Sequence, residues 1–130
     1  MAAVTFPLAE FCNLEIDQVA PGHALGTVHL DPARHANPNG VTHGGVIFTA
    51  VDTTMGAATQ SALGPDQICA TIEVQIRFFR PVAAGTVRVD TEVVNRGGKV
   101  VHLVSRVTDD DGRQVAMATG SFAVLDARPT

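Results

Sequence analysis

The sequence predicts an α+β fold in which an antiparallel sheet wraps around one long central helix. The stretch from residue 44 to about residue 63 is apolar on every side, which is typical of a buried helix. From Gln67 onward apolar residues alternate with polar ones, as in strands with one face against a core. A chain of 130 residues has the length of one domain, so residues 1–130 are interpreted as a single unit.

The segment before the long helix is expected to supply a short helix and two strands. Residues 5–13 can form one helical stretch, because a proline is tolerated in its first turn. Residues 15–20 and 23–30 are predicted strands around a Pro-Gly turn. Residues 31–40 contain two prolines, two asparagines and a glycine, and this composition predicts a loop.

The segment after the helix is predicted to form four long strands in meander order. The first has apolar residues at every second position, namely Ile72, Val74, Ile76 and Phe78. Residues 95–98 and 109–112 are rich in Asn, Asp and Gly, which favours hairpin turns. One helix and one sheet make a thin core, so the outer strand faces and edges are expected to contact another subunit.

Composition excludes several classes of protein. Trp and Tyr are absent, six Phe are present and the formal net charge is −4, so base stacking and phosphate binding by a nucleic-acid module are not expected. The apolar stretch 46–63 is interrupted by Asp52 and Gln60, which argues against a membrane span. Cys12 and Cys69 form no metal or disulfide motif and fit a reducing cytoplasm.

No metal site is predicted. His23, His29 and His102 are expected on strands, and their spacing matches no set of metal ligands.

The junction between the polar loop and the long helix is the predicted place for chemistry. Gly44 and Gly45 begin the helix, so their backbone N–H groups lack intrahelical acceptors and carry the positive end of the helix dipole. Without side chains, a ligand oxygen can approach this backbone closely. The pair therefore predicts an oxyanion hole, which stabilises negative charge on a carbonyl oxygen during acyl transfer.

Asp52 is the second predicted functional residue. A carboxylate in an apolar helix is costly unless it is paired, hydrogen-bonded or functional. A solvated or loop-capping Asp52 is the alternative interpretation. The nearby Gly-Gly start of the helix and the apolar surroundings of Asp52 favour a functional role.

The chain resembles the hotdog-fold acyl-CoA thioesterases, and most of all the branch of the phenylacetate-degradation thioesterases and thioesterase-superfamily member 2. The resemblance covers about residues 14–126. The positions that carry it are His35, Asn37, Gly40, His43, Gly44, Gly45 and Asp52.

The resemblance implies a role for each site residue. The Gly44 N–H would polarise the thioester carbonyl, and Asp52 would be the nucleophile or the base that activates water. Asn37 would hold the water or place the carbonyl, although an Asx turn is its alternative. His43 would orient the thioester, although it could merely hydrogen-bond the helix backbone. Thr71 falls where the family often places a hydroxyl beside the carboxylate. His35 is expected to support the loop.

The same resemblance implies contacts to an acyl-CoA substrate, with no further cofactor and no metal. Cations at turns are candidates for the CoA phosphates, namely Arg80, Arg96 and Lys99, although ordinary solvated charges are an equal alternative. Gly45 lies at the helix entry beside the thioester. The predicted acyl pocket is lined by Phe48, Met55 and Phe79. Aromatic and medium-chain acyl groups both remain open.

Helix geometry predicts that the site is shared by two copies of the chain. Gly44 and Asp52 are about 12 Å apart along one helix axis, too far to act on one carbon. Two antiparallel helices related by a two-fold axis bring them together, so a homodimer is expected, and the resemblance often adds a dimer of dimers. An enoyl-thioester hydratase or dehydratase and a non-catalytic acyl-CoA binder are the alternative functions.

Overall fold

The fold is one antiparallel sheet packed on a long helix. A computed structural model describes residues 5–127, and residues 1–4 and 128–130 lie outside the described part. The elements in chain order are α1 (Pro7–Phe11), β1 (Leu14–Ala20), β2 (His23–His29), α2 (Pro32–His35), α3 (Gly44–Ser61), β3 (Gln67–Phe78), β4 (Thr86–Arg96), β5 (Val100–Thr108) and β6 (Gln114–Asp126). The predicted α+β architecture is confirmed.

The long helix α3 begins and ends where the sequence predicts, within two residues. His43 is its N-cap residue, and the helix ends at Ser61, just before the Gly64-Pro65 stop signal. Its inner face packs on the sheet and includes the fully buried Met55. Two buried hydroxyls on this face, those of Thr54 and Thr59, donate to carbonyls four residues earlier. This pattern lets polar residues lie in the core without an unpaired group.

The helix is less enclosed than its sequence predicts. Phe48 is 38% exposed, and Asp52, Thr53 and Gly56 are half-buried. The sheet covers one side of α3 only, so apolar residues on the other side are left at the surface of the single chain. The all-round apolar pattern predicts a fully buried helix, whereas residues 5–127 bury only the side of α3 that packs on the sheet.

The strand order differs from the predicted four-strand meander. The order across the sheet is β1-β2-β4-β5-β6-β3, so β4, β5 and β6 form the meander and β3 lies at the far edge beside β6. The connection from β3 to β4 is a crossing segment rather than a hairpin. Two carbonyls of this segment accept hydrogen bonds from the rest of the chain. Val82 accepts the N–H of Thr42, and Gly85 accepts the N–H of Leu30.

The edge strand β3 is open along one side and largely exposed. Among the described residues it pairs only with β6, and a bulge at Ile72 interrupts the register between Thr71 and Glu73. Ile72 is 57% exposed and Phe78 is also exposed. A 12-residue edge with apolar side chains is a template for pairing with another strand.

The predicted loop 31–40 contains a short helix, α2. Asp31 caps it by accepting a hydrogen bond from the N–H of Ala33, and Pro32 occupies its first position. These are standard helix-start residues, which the loop interpretation overlooked. Within residues 5–127, no helix is both long and apolar enough to cross a membrane.

Candidate active site

The loop before α3 is held in one conformation by a small set of hydrogen bonds. The N–H of His43 donates to the carbonyl of His35 at 2.7 Å, and the N–H of Asn37 donates to Val41 at 2.7 Å. Gly40 adopts a φ of +80°, a left-handed conformation that favours glycine at this turn. These contacts fix the position at which α3 begins.

His35 anchors this loop from below. Its side chain is buried, its Nδ1 accepts the N–H of Asp31 at 3.0 Å, and its Nε2 lies 2.6 Å from the carbonyl of Phe11. Because Nδ1 accepts, Nε2 carries the proton and donates. His35 thereby ties α1 and α2 to the residue that caps α3, which agrees with its predicted supporting role.

The first turn of α3 presents one free N–H group. His43 Nδ1 accepts the N–H of Gly45 at 2.7 Å, so that donor is occupied. Within residues 5–127, the N–H of Gly44 has no hydrogen-bond acceptor. The ring of Phe78 lies over Gly44, where an added Cβ would come within 3.1 Å of it. Gly44 thus offers a single donor at a position where a side chain would crowd the Phe78 ring.

A cavity of about 390 Å³ opens beside this donor and is here called the Asn37 cavity. Gly44, Phe79 and Arg80 also line it. Asn37 Oδ1 accepts the N–H groups of Asn39 and Val41, so the Asx turn considered above is present. The Asn37 side chain keeps its Nδ2 donors for a ligand. Asn37 can therefore donate a hydrogen bond to a carbonyl oxygen or a water, but a side-chain amide cannot act as a base.

The predicted carboxylate–hydroxyl pair is present. Thr71 Oγ1 donates to Asp52 Oδ1 at 2.7 Å across the gap between β3 and α3. The bulge at Ile72 shifts the register so that Thr71 faces the helix, like the buried Phe122 opposite it on β6. This hydrogen bond orients the Asp52 carboxylate.

Cys69 lies on the same strand, close to Asp52. Burial raises the pKa of the Cys69 thiol above its usual value, and the Asp52 carboxylate raises it further. The thiolate is the nucleophilic form of cysteine, so both effects suppress it at neutral pH. Cys69 is therefore a poor candidate for the nucleophile at this end of the site.

The two halves of the site are separate within one chain. Eight residues of α3 divide Gly44 from Asp52, which corresponds to about 12 Å along the axis. Phe78 lies beside the first and Thr71 beside the second, so strand β3 follows the helix past both. A single chain holds the polarising donor and the carboxylate too far apart for one reacting carbon.

The residues predicted to contact substrate are spread over the chain. Phe79 and Arg80 line the Asn37 cavity, and Phe48 lies on the exposed side of α3 between Gly44 and Asp52. The assignment of Met55 to the acyl pocket is corrected. Its side chain is fully buried and its sulfur lies against Gly120 of β6, because the missing side chain there leaves room for it.

Two of the predicted CoA-binding cations lie at the other end of the helix. Arg96 donates to the carbonyl of Ala62, just beyond the end of α3, and Lys99 lies in the adjacent β4–β5 turn. Of these three predicted cations, Arg80 is the one that lies near Gly44 in the same chain. Within the described range, no group of three or more His, Cys, Asp or Glu side chains could hold a metal ion.

Phe78 is the site residue that sequence reasoning missed. It was assigned to the core as part of the alternating pattern, but half of it is exposed and it covers Gly44. The available signal was its place at the end of a strand, directly before the Phe79-Arg80-Pro81 turn.

An antiparallel sheet of this order on one long helix, with an unpaired N–H at the helix start, defines the hotdog class. The sequence model of the thioesterase superfamily matches residues 39–116. The candidate esterase SSO2140 of Saccharolobus solfataricus is 34% identical over 117 residues, which cover 89% of this chain and 81% of that protein. The chain belongs to the thioesterase superfamily and is a thioester hydrolase.

Solved structures agree with this fold. The conserved protein PA5202 of Pseudomonas aeruginosa superposes with a TM-score of 0.87 at 31% identity, covering 93% of this chain and 95% of that one. The PaaI protein from the phenylacetic acid degradation operon of E. coli superposes with a TM-score of 0.85 at 22% identity, with coverages of 94% and 86%. Family membership favours hydrolysis over the hydratase and the non-catalytic binder.

Proposed function

We propose that this enzyme hydrolyses acyl-CoA thioesters in a site built from two copies of the chain. The observation that carries the proposal is the arrangement on α3, where an unpaired Gly44 N–H and the Asp52–Thr71 pair are separated by eight residues. The first group binds an oxyanion and the second delivers or activates a nucleophile. The two act on one thioester when they come from opposite subunits.

The reaction adds water across the thioester and releases a carboxylic acid and the CoA thiol. The carbonyl oxygen accepts hydrogen bonds from the Gly44 N–H and from Asn37 Nδ2. These two bonds stabilise the negative charge that develops on the oxygen as the carbon is attacked. Asp52 of the other subunit either removes a proton from the attacking water or attacks the carbon itself and is then freed by water. In both routes the C–S bond breaks and the leaving sulfur takes up a proton.

Both the open edge of β3 and the uncovered side of α3 support the dimer. Antiparallel pairing of β3 with its own copy places the Phe78 end of one strand beside the Thr71 end of the other. Because Phe78 accompanies Gly44 and Thr71 accompanies Asp52, this pairing also brings Gly44 towards the second subunit's Asp52. The two-fold axis then passes near Phe48, midway between them, which explains why this large apolar residue is exposed in one chain.

In this proposal pantetheine occupies the Asn37 cavity, whose lining includes Gly44. Arg80 lies at the turn that borders this cavity and is the candidate for contact with the CoA phosphates. The two free cysteines are consistent with a cytoplasmic enzyme.

Thiol release from a panel of acyl-CoA thioesters tests the reaction. Phenylacetyl-CoA, octanoyl-CoA and an enoyl-CoA are offered to the wild type, and free thiol is measured beside hydration of the enoyl double bond. We expect thiol release that is abolished by Asp52→Asn. Hydration without thiol release would refute the proposal.

Subunit mixing tests the shared site. Asn37→Ala and Asp52→Ala dimers are expected to be nearly inactive by themselves. A mixed dimer collects both changes in one site and leaves the other intact, so equal mixing by co-refolding should restore about one quarter of wild-type activity. Mixing Asp52→Ala with Asp52→Asn is the matched control and should restore nothing. Verified mixed dimers that remain inactive would place the whole site in one chain.

A further inference from the structure

A second cavity lies on the opposite side of the α3 N-terminus from the Asn37 cavity. Its volume is about 290 Å³, and it is here called the α1 cavity because that helix forms one wall. Gly45 and His43 line it, whereas the neighbouring Gly44 lines the Asn37 cavity. A carbonyl bound at Gly44 therefore has one cavity on each side, and the two arms of a thioester need two such spaces.

The walls of the α1 cavity are mostly apolar. Leu8, Phe11 and Val46 contribute to them, and Leu8 and Phe11 are 52% and 51% exposed. Within residues 5–127, this surface of α1 is left about half exposed. Its burial by a hydrocarbon chain would be favourable, at about 25 cal/mol for each Å² removed from water.

One cation stands at the rim of this cavity. The guanidinium carbon of Arg34 lies 5.4 Å from the centre of the Phe11 ring, a cation–π contact that orients the group. Among the described residues, no carboxylate forms an ion pair with Arg34. A planar guanidinium that is held in place and free of an anion is well suited to bind a carboxylate through two parallel hydrogen bonds.

We propose that the α1 cavity receives the acyl group and that Arg34 binds a carboxylate at the far end of that group. The preferred substrates are then CoA thioesters of short dicarboxylic acids. This inference rests on the proposed acyl-CoA hydrolysis and names the class of acyl group that it acts on.

The position of Arg34 distinguishes an acyl carboxylate from the phosphates of CoA. Arg34 is adjacent in sequence to His35, whose carbonyl accepts the N–H of His43 at 2.7 Å. The guanidinium is thus close to the start of α3, where the thioester binds. Pantetheine and the phosphates are proposed to lie on the side of the Asn37 cavity, whereas Arg34 lines the α1 cavity on the other side of the helix start, so an anion bound by Arg34 belongs to the acyl group.

The test compares two thioesters that differ only in the terminal group. Hexanoyl-CoA and adipyl-CoA have the same six-carbon chain, and adipyl-CoA ends in a carboxylate. We expect the wild type to prefer adipyl-CoA by about tenfold or more in kcat/KM, as for a charged hydrogen bond. Arg34→Gln should remove this preference and leave hexanoyl-CoA hydrolysis within about twofold. Arg88→Gln, at an exposed position on β4, is the matched control and should change neither.

Binding to the inactive Asp52→Asn variant separates this proposal from the proposed reaction. Calorimetry with the two thioesters should show the same preference, and Arg34→Gln in that background should remove it. Equal weakening of both thioesters by Arg34→Gln would mean that Arg34 contacts CoA and would overturn the proposal. No change with either thioester would also overturn it, while thiol release by the wild type would leave the proposed reaction intact.

Discussion

The hydrogen bond from Thr71 to Asp52 gives the sharpest single test of the site. Thr71→Val keeps the side-chain shape and removes the hydroxyl that donates to Asp52 Oδ1 at 2.7 Å. A hydrogen bond to a charged group contributes about 1.5–3 kcal/mol, which corresponds to about a 10- to 150-fold fall in kcat. Thr71 is exposed in the single chain and would be covered by the second subunit of the proposed dimer, so the upper part of this range is expected.

The assay is release of the CoA thiol under saturating and limiting substrate. KM should change little, since in the proposed mechanism Asp52 acts on the reacting carbon, and Thr71 orients Asp52 rather than binding the CoA arm. Thr71→Ser retains the hydroxyl and should keep most of the activity. Thr119→Val, on the outer face of β6, is the matched control for replacing a threonine hydroxyl by a methyl group, and it should leave kcat unchanged. A folded Thr71→Val enzyme with kcat within twofold of wild type would refute the reasoning, as would an equal loss in Thr71→Ser.

The remaining predictions concern the other parts of the site. Asp52→Asn should lower kcat by about 100-fold or more with a small change in KM, and near-full turnover in steady-state assays would contradict its role. Gly44→Ala places a Cβ within 3.1 Å of the Phe78 ring and should cost about 100- to 1000-fold in kcat. A soluble Gly44→Ala enzyme with ordinary kcat would show that the carbonyl binds elsewhere. His35→Ala leaves two partly buried backbone groups without partners, the N–H of Asp31 and the carbonyl of Phe11, and should lower the free energy of unfolding by about 1 kcal/mol each in urea titrations. An unchanged urea midpoint would mean that water or a local shift replaces the imidazole.

The elements of the fold were predictable because their signals are local. The all-apolar helix, its Gly-Pro stop and the alternating strands each show in a few consecutive residues. The edge position of β3 was not predictable, since the alternation of Val74 and Ile76 is the same whichever strand pairs with β3. The exposure of Phe48 was missed for a related reason, because the pattern does not show which molecule covers an apolar face.

The candidate site divides in the same way. The helix-start donor followed from glycines at the beginning of an apolar helix, and the structure leaves the Gly44 N–H free. The pairing of Thr71 with Asp52 was implied only by resemblance, since it depends on a bulge that no local pattern predicted. The α1 cavity escaped notice because it needs α1 and the residues before α3 to meet in space.

The open edge of β3 also bears on how the chain avoids aggregation before the proposed dimer forms. A newly made subunit exposes a 12-residue strand with apolar residues such as Ile72, and such strands invite pairing with the wrong chain. Glu73 and Arg77 place charges of both signs along this strand, and charges at these positions act as gatekeepers against aggregation. Neutralising both charges should lower the yield of soluble protein and leave the activity of the folded enzyme unchanged. Expression at low temperature should then restore the yield without changing kcat.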